Sequence, residues 1–202
     1  MPGLGSYCTL DGTSVSTFGK LVLADYRTFV PVVAKAYLAR PDFDQKAVPS
    51  WKALIAHVEH MFEQLQARVR VEFVGSDPYS DYDALAKDIR ENRRMKIFTG
   101  NSDHAVFSDR QNWKFRAVHD YMAHFAGGHK FSLRGEISAY NRHVKTVPPA
   151  ARPALFTEVV GQVCTFHFLD GKFAPQKIAI LYGFDYVNVG NVDQREYARN
   201  FS

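Results

Sequence analysis

The sequence predicts an α+β fold, predominantly helical: a single domain with a small sheet and a C-terminal helical metal-binding core. Three observations predict it. A chain of 202 residues with 46% hydrophobic and 14% aromatic content can bury one substantial core. Apolar residues recur at helical spacing along most of the chain, while period-two alternation is confined to two short stretches. The candidate ligands His119, His124 and Glu158, with Asp120 and Glu136, all fall within residues 110–170, which read as three helices.

In chain order, residues 1–15 are rich in Gly, Ser and Thr and read as irregular, and 18–40 reads as helical with a break or kink at Pro31. Ser50 is placed to cap a long helix, because Trp51, Leu54, Ile55, Val58, Met61, Phe62 and Leu65 repeat on one face. His57 and His60 lie largely off that stripe. Val69, Val71 and Phe73 alternate with Arg70 and Glu72, as a half-buried strand does, and Gly75 and Pro78 end it. Tyr82, Leu85, Ala86 and Ile89 make a short amphipathic helix, and residues 95–99 form a second strand, so the three together predict one crossover unit. Helices over 113–125, 133–144 and from Pro149 or Pro153 to about 168 follow, with Asn112 as a cap and Gly127 and Gly128 as a terminator. No repeat or linker divides residues 1–202, which are expected to form one domain.

No stretch approaches the roughly 20 apolar residues of a membrane-spanning helix, and the N-terminus lacks the pattern of a signal peptide, so the expected location is cytoplasmic. Cys8 and Cys164 lie too far apart in context to suggest a disulfide framework. A net charge of +4 and a pI near 9.0 would permit nucleic-acid contact, but the basic residues are interleaved with acids. The densest cluster, Arg93, Arg94 and Lys96, reads as a solvated helix end. A small-molecule substrate is the expected partner.

The chemistry concentrates in Phe115-Arg116-Ala117-Val118-His119-Asp120-Tyr121-Met122-Ala123-His124-Phe125. His119 and His124 are candidate metal ligands. Five residues apart, they lie about 140° apart around an α-helix, so convergence on one ion needs long rotamers or a loosened last turn. Asp120 either acts as an acid or base beside the metal or, four residues from His124, bonds to it on the helix face. Glu158 sits among Phe156, Val159, Val160 and Val163, where a carboxylate is costly to bury without a cation. It is therefore the candidate third ligand; the alternative is that it faces solvent with Gln162. Glu136, with Tyr140 one turn on, orients a ligand histidine, serves as a fourth ligand or is a surface acid. Two imidazoles and a carboxylate on one face of an ion suit Fe(II), with Zn or Mn as alternatives. His129 lines a pocket mouth or is exposed, and Tyr121, Phe125 and Phe131 read as core or pocket wall.

His119-x4-His124 followed 34 residues later by Glu158, in Leu155-Phe156-Thr157-Glu158-Val159-Val160-Gly161, resembles the iron-binding core of the pterin-dependent aromatic amino acid hydroxylases. The likeness runs from about residue 96 to 182 and includes Glu136-Ile137 and Gly171-Lys172-Phe173-Ala174-Pro175. It implies an oxygenase that uses Fe(II), oxygen and a pterin to hydroxylate a small substrate. Asp120 and Ala123 depart from the family's motif, His104 stands where the family has a carboxylate-gripping arginine, and no residue matches the pterin-stacking aromatic. The likeness thus supports the metal more than the pterin. The runs Phe-Arg-Ala-Val-His-Asp, Gly-Glu and Thr-Glu-x-x-Gly-Gln are also similar to bacteriophage-encoded proteins without an assigned activity. Two other functions compete: a divalent-metal phosphohydrolase built on the His119-Asp120 doublet, with His57, His60 or His104 upstream and Asp170 downstream, and a phage-associated structural or binding protein that keeps the metal for stability.

Overall fold

The computed structural model describes residues 20–22, 25–102 and 104–202. The reading of residues 1–15 as irregular, and Cys8, lie outside the described residues. Strand β1 (Lys20–Val22) pairs antiparallel with β4 (Asn191–Asp193), Leu21 opposite Val192. The sequence predicts one helix over 18–40; helix α1 instead starts at Tyr26, capped by Asp25, and runs to Ala39. Pro31 lies inside it without interrupting it.

Helix α2 (Val48–Gln66) begins two residues before the expected cap, because Pro49 suits a first-turn position whose N–H has no helical partner. Ser50 is buried, and its hydroxyl accepts from the Ala154 N–H at 3.1 Å, serving the start of a different helix. Of the expected stripe, Trp51, Leu54, Val58, Phe62 and Leu65 are buried, while Ile55 and Met61 at its edges are half-buried. Strand β2 (Arg70–Val74), helix α3 (Tyr82–Asn92) and strand β3 (Arg94–Phe98) form the crossover unit, with β2 and β3 parallel and Arg70 opposite Arg94. Asp88 locks it. Its carboxylate accepts from Arg94 twice at 3.1 Å, from Asn92 at 2.7 Å and from Tyr79 at 2.9 Å.

Helix α4 (Asp109–His119) is capped by Ser108 through a capping box with Gln111, four residues earlier than expected at Asn112. Asn112 is buried and donates to the Ser102 carbonyl at 3.2 Å. Helix α5 (Leu133–His143) is capped by Ser132. A third helical rod comprises α6 (Arg152–Leu155), a π-helical turn over Phe156–Gly161 and α7 (Gln162–Phe168); helix α8 (Gln194–Ala198) closes the chain. Helix α2 packs on α4 and α6, and α1 packs on α7, around one continuous apolar core. The fold is thus α+β and predominantly helical, and no helix of the described residues is long and apolar enough to cross a membrane.

Candidate metal centre

His119 ends α4, and the chain continues directly into a second π-helical turn over Asp120–Phe125. Hydrogen bonds here span five residues: Ala126 N–H to Tyr121 at 2.9 Å and His129 N–H to His124 at 3.0 Å. A five-residue turn brings positions five apart onto one face, which a 3.6-residue turn cannot do. The loosened turn that the spacing required is therefore real, but it lies ahead of the glycines. Gly127 matters differently: a Cβ there would fall 2.5 Å from the Ala123 carbonyl oxygen and 2.5 Å from the His129 ring.

Glu136 meets the two histidines from the first turn of α5. The neighbouring Gly135 lets α5 sit against the preceding loop, since a Cβ would fall 1.7 Å from the Lys130 carbonyl oxygen. Glu136 Oε2 lies 3.2 Å from His124 Nε2 and 3.6 Å from His119 Nε2, and one donor atom from each residue falls within 4.8 Å of the others. Ligands at about 2.1 Å from an ion and at right angles to one another lie about 3.0 Å apart, so a small contraction would seat a metal here. His124 Nδ1 donates to the His129 carbonyl at 2.8 Å, which leaves the Nε2 lone pair directed at the group. His119 Nδ1 lies 3.2 Å from His143 Nδ1.

The electrostatics suit a cation. Burial pushes the Glu136 carboxyl up, but hydrogen bonds and charge from His119 and His124 outweigh it and bring it down to about 2. Burial lowers His124, yet the bond and charge of Glu136, joined by Asp120, raise it overall. Glu136 is accordingly ionised at neutral pH, as a ligand carboxylate must be.

Glu158, the ligand expected from the sequence, stands outside this group but not outside the site. It is held by the π-helical turn of the third rod, and its Oε2 accepts from Gln162 Nε2 at 2.6 Å. Burial pushes its carboxyl up to about 8, against the lowering effects of that bond and of the Arg116 charge. It shares with His119 and Glu136 the wall of a cavity of about 350 Å³, otherwise lined mainly by Phe115, Phe131, Val159, Val163 and Phe166. A second cavity of about 780 Å³ adjoins across Phe115, Glu158, Gln162 and Phe173. Arg116 borders it, its guanidinium tied to the carbonyls of Phe98, Gly100 and Asn101 at 2.7 to 2.8 Å.

Asp120 is not in the ligand group, and no Asp120–His124 hydrogen bond forms, because the four-residue pairing belongs to the α-helical geometry that this turn abandons. Burial raises its carboxyl despite the nearby histidine charges. His104 holds a turn: its Nδ1 accepts from Val106 and Phe107 N–H at 3.2 and 2.9 Å, its ring stacks on Phe107, and burial pushes it down to about 4. His60 bonds to Gln64 on the surface, His57 faces His143 with centroids 6.4 Å apart, and Asp170 occupies a turn at φ 51°. His129 contributes its carbonyl, and Phe131 meets the His124 ring edge-on at 4.9 Å while walling the cavity. Tyr121 and Phe125 pack against the core. Sequence reasoning missed His143; its spacing of seven from Glu136, two turns along one face, was the available signal.

No family model, curated protein or solved structure matches this chain. Fold and site together define a helical α+β protein in which two histidines and a glutamate converge in a group that could hold a metal ion.

Proposed function

We propose that this protein is a mononuclear non-haem iron oxygenase that hydroxylates a small, largely apolar substrate, with His119, His124 and Glu136 as ligands. The observation that carries the proposal is the convergence of these three donor atoms beside an aromatic-walled cavity. Two histidines and one carboxylate on one face of an ion leave positions open, and that donor set suits Fe(II). When bound, Fe(II) would supply the activation of oxygen. One oxygen atom enters a C–H bond and the other leaves as water, so two electrons and two protons come from a reduced pterin or another two-electron donor. The resemblance to the pterin-dependent hydroxylases, stronger for the metal than for the pterin, points to the same chemistry, but it matched Glu158 as the third ligand, a role that falls here to Glu136.

The chain's own residues divide the remaining work. Phe115, Phe131, Val159 and Val163 hold the apolar body of a substrate and exclude water from it. Glu158 keeps a proton at neutral pH on a carboxyl that borders the same cavity, where it can donate to or orient a polar group of the substrate.

That same carboxyl favours a second reading, a metal-dependent hydrolase. A group that exchanges its proton near neutral pH beside a metal site can relay the proton of an attacking water. The phosphohydrolase form of this reading gains less support, because the ligand group contains neither Asp120, Asp170 nor an upstream histidine.

The deciding experiment is metal analysis of the purified protein and of His119→Ala, as isolated and after anaerobic Fe(II) reconstitution, followed by oxygen-uptake assays. About one Fe(II) per wild-type chain, absent from the variant, with substrate-dependent oxygen uptake is the expected result. Zinc or manganese with esterase or phosphatase activity would establish the hydrolase, and equal metal content in wild type and variant would refute the site.

A further inference from the structure

We infer that His143 is a positioning residue for the ligand His119, fixing it in the tautomer that presents Nε2 to the ion; the inference rests on the metal reading above. A neutral imidazole carries one N–H. His119 Nε2 points at Glu136 Oε2, 3.6 Å away, and its other nitrogen lies 3.2 Å from His143 Nδ1. With Nε2 engaged by a metal, His119 must carry its proton on Nδ1 and donate it to His143 Nδ1. His143 then holds its own proton on Nε2.

Two further observations bear on His143. The residue is 1% exposed, and among the described residues its Nε2 has no hydrogen-bond partner. A buried nitrogen without a partner is costly, and with Nε2 unpartnered the contact of Nδ1 with His119 is the hydrogen bond that this ring makes. Its ring is also clamped: Phe115 stacks on both His119 and His143, with centroids 6.0 and 6.3 Å away and interplanar angles of 14° and 28°. Helix α5 thus supplies both the ligand Glu136 and, two turns on, the residue that orients the ligand from α4. Hydrogen-bond partners of this kind set ring orientation and basicity of metal-bound histidines.

The test is Co(II) titration of the full chain, followed by calorimetry and by the visible ligand-field spectrum, for wild type, His143→Asn and His143→Leu. Asn keeps an acceptor close to the position of Nδ1; Leu fills volume without one. The expected result is wild-type-like binding and spectrum for H143N, and an affinity about 10–100-fold weaker with an altered spectrum for H143L. Equal affinity and identical spectra in a folded H143L would overturn the inference while leaving the metal site intact. Wild-type protein that binds no Co(II) would overturn both. If far-UV circular dichroism shows H143L unfolded, H143Q replaces it, its amide displaced by one methylene: weaker binding than H143N supports the inference, and equal binding overturns it.

Discussion

Exchanging Glu136 and Glu158, one at a time, for glutamine separates ligand from cavity wall. Gln is nearly isosteric with Glu, so each change removes a charge and little volume. Glu136 lies 3.2 and 3.6 Å from the two histidine nitrogens, while Glu158 bonds to Gln162 and belongs to no ligand group. A ligand present at 100 times its dissociation constant stabilises a folded chain by about 2.7 kcal/mol. For a chain of this size each kcal/mol shifts Tm by about 2–4 °C, so metal should raise wild-type Tm by about 5–11 °C. Glu136→Gln should lose that rise, and its metal-free form should also melt a few degrees lower, because charge-assisted bonds to His119 and His124 are weakened. Glu158→Gln should keep the full rise. The assay is thermal unfolding by circular dichroism with and without Zn(II), and with Fe(II) under anaerobic conditions. A full metal-induced shift in Glu136→Gln together with its loss in Glu158→Gln would refute the assignment and return the carboxylate role to Glu158.

Glu158 also implies a pH dependence in the metal-free protein. Its folded-state pKa of about 8 lies above the ordinary value of about 4.3, so the folded state holds a proton the unfolded chain releases; stability falls as pH rises between these values. Urea midpoints of Glu158→Gln should therefore exceed wild type by a growing margin from pH 5 to pH 9, and a constant difference would contradict the burial argument. Asp88 predicts the opposite sign: burial raises its carboxyl, but bonds from Arg94, Asn92 and Tyr79 prevail and hold it low. Asp88→Asn should cost about 2–4 kcal/mol at pH 7, a deficit that shrinks as pH falls below about 3.9 and through the folded-state value, measured by urea unfolding at several pH values. Gly135→Ala should destabilise by about 3 kcal/mol or more and weaken metal binding, because the added Cβ drives α5 and Glu136 away from the Lys130 carbonyl. Wild-type Tm and metal affinity in that variant would show that the loop accommodates the methyl.

The parts of the fold legible in advance are those governed by local pattern. The α2 stripe, the alternation in β2 and the helical run of α5 each announce themselves within a dozen residues. The β1–β4 pair does not, since it joins Leu21 to Val192 across most of the chain and rests on three residues a side. The capping box of α4 was written in Ser108 and Gln111, but Asn112, a good cap type in a buried tertiary role, was the stronger lure. Glu136 and Glu158 pose a harder problem. Both are acids on helices of the C-terminal half, Glu136 on an amphipathic one and Glu158 in an apolar run, and which one reaches the histidines depends on how α5 and the third rod pack around a turn that 3.6-residue periodicity cannot register. The histidine pair was legible because its awkward spacing demanded a distortion, and the distortion was there.

Two such distortions border the site: the turn at 120–125 carries the candidate ligand His124, and the turn at 156–161 carries Glu158 and Val159 of the cavity wall. Each amounts to one surplus residue lodged in an otherwise regular helix, held there although a tighter turn would give better hydrogen bonds. Excision of a single residue from either segment would let the helix relax, and everything beyond would turn by about 100° relative to what precedes it. Such a rotation would also swing the buried Val160, Cys164 and Thr165 out of the core, so the surplus residue at 156–161 sets the register of the pocket and of the core behind it together.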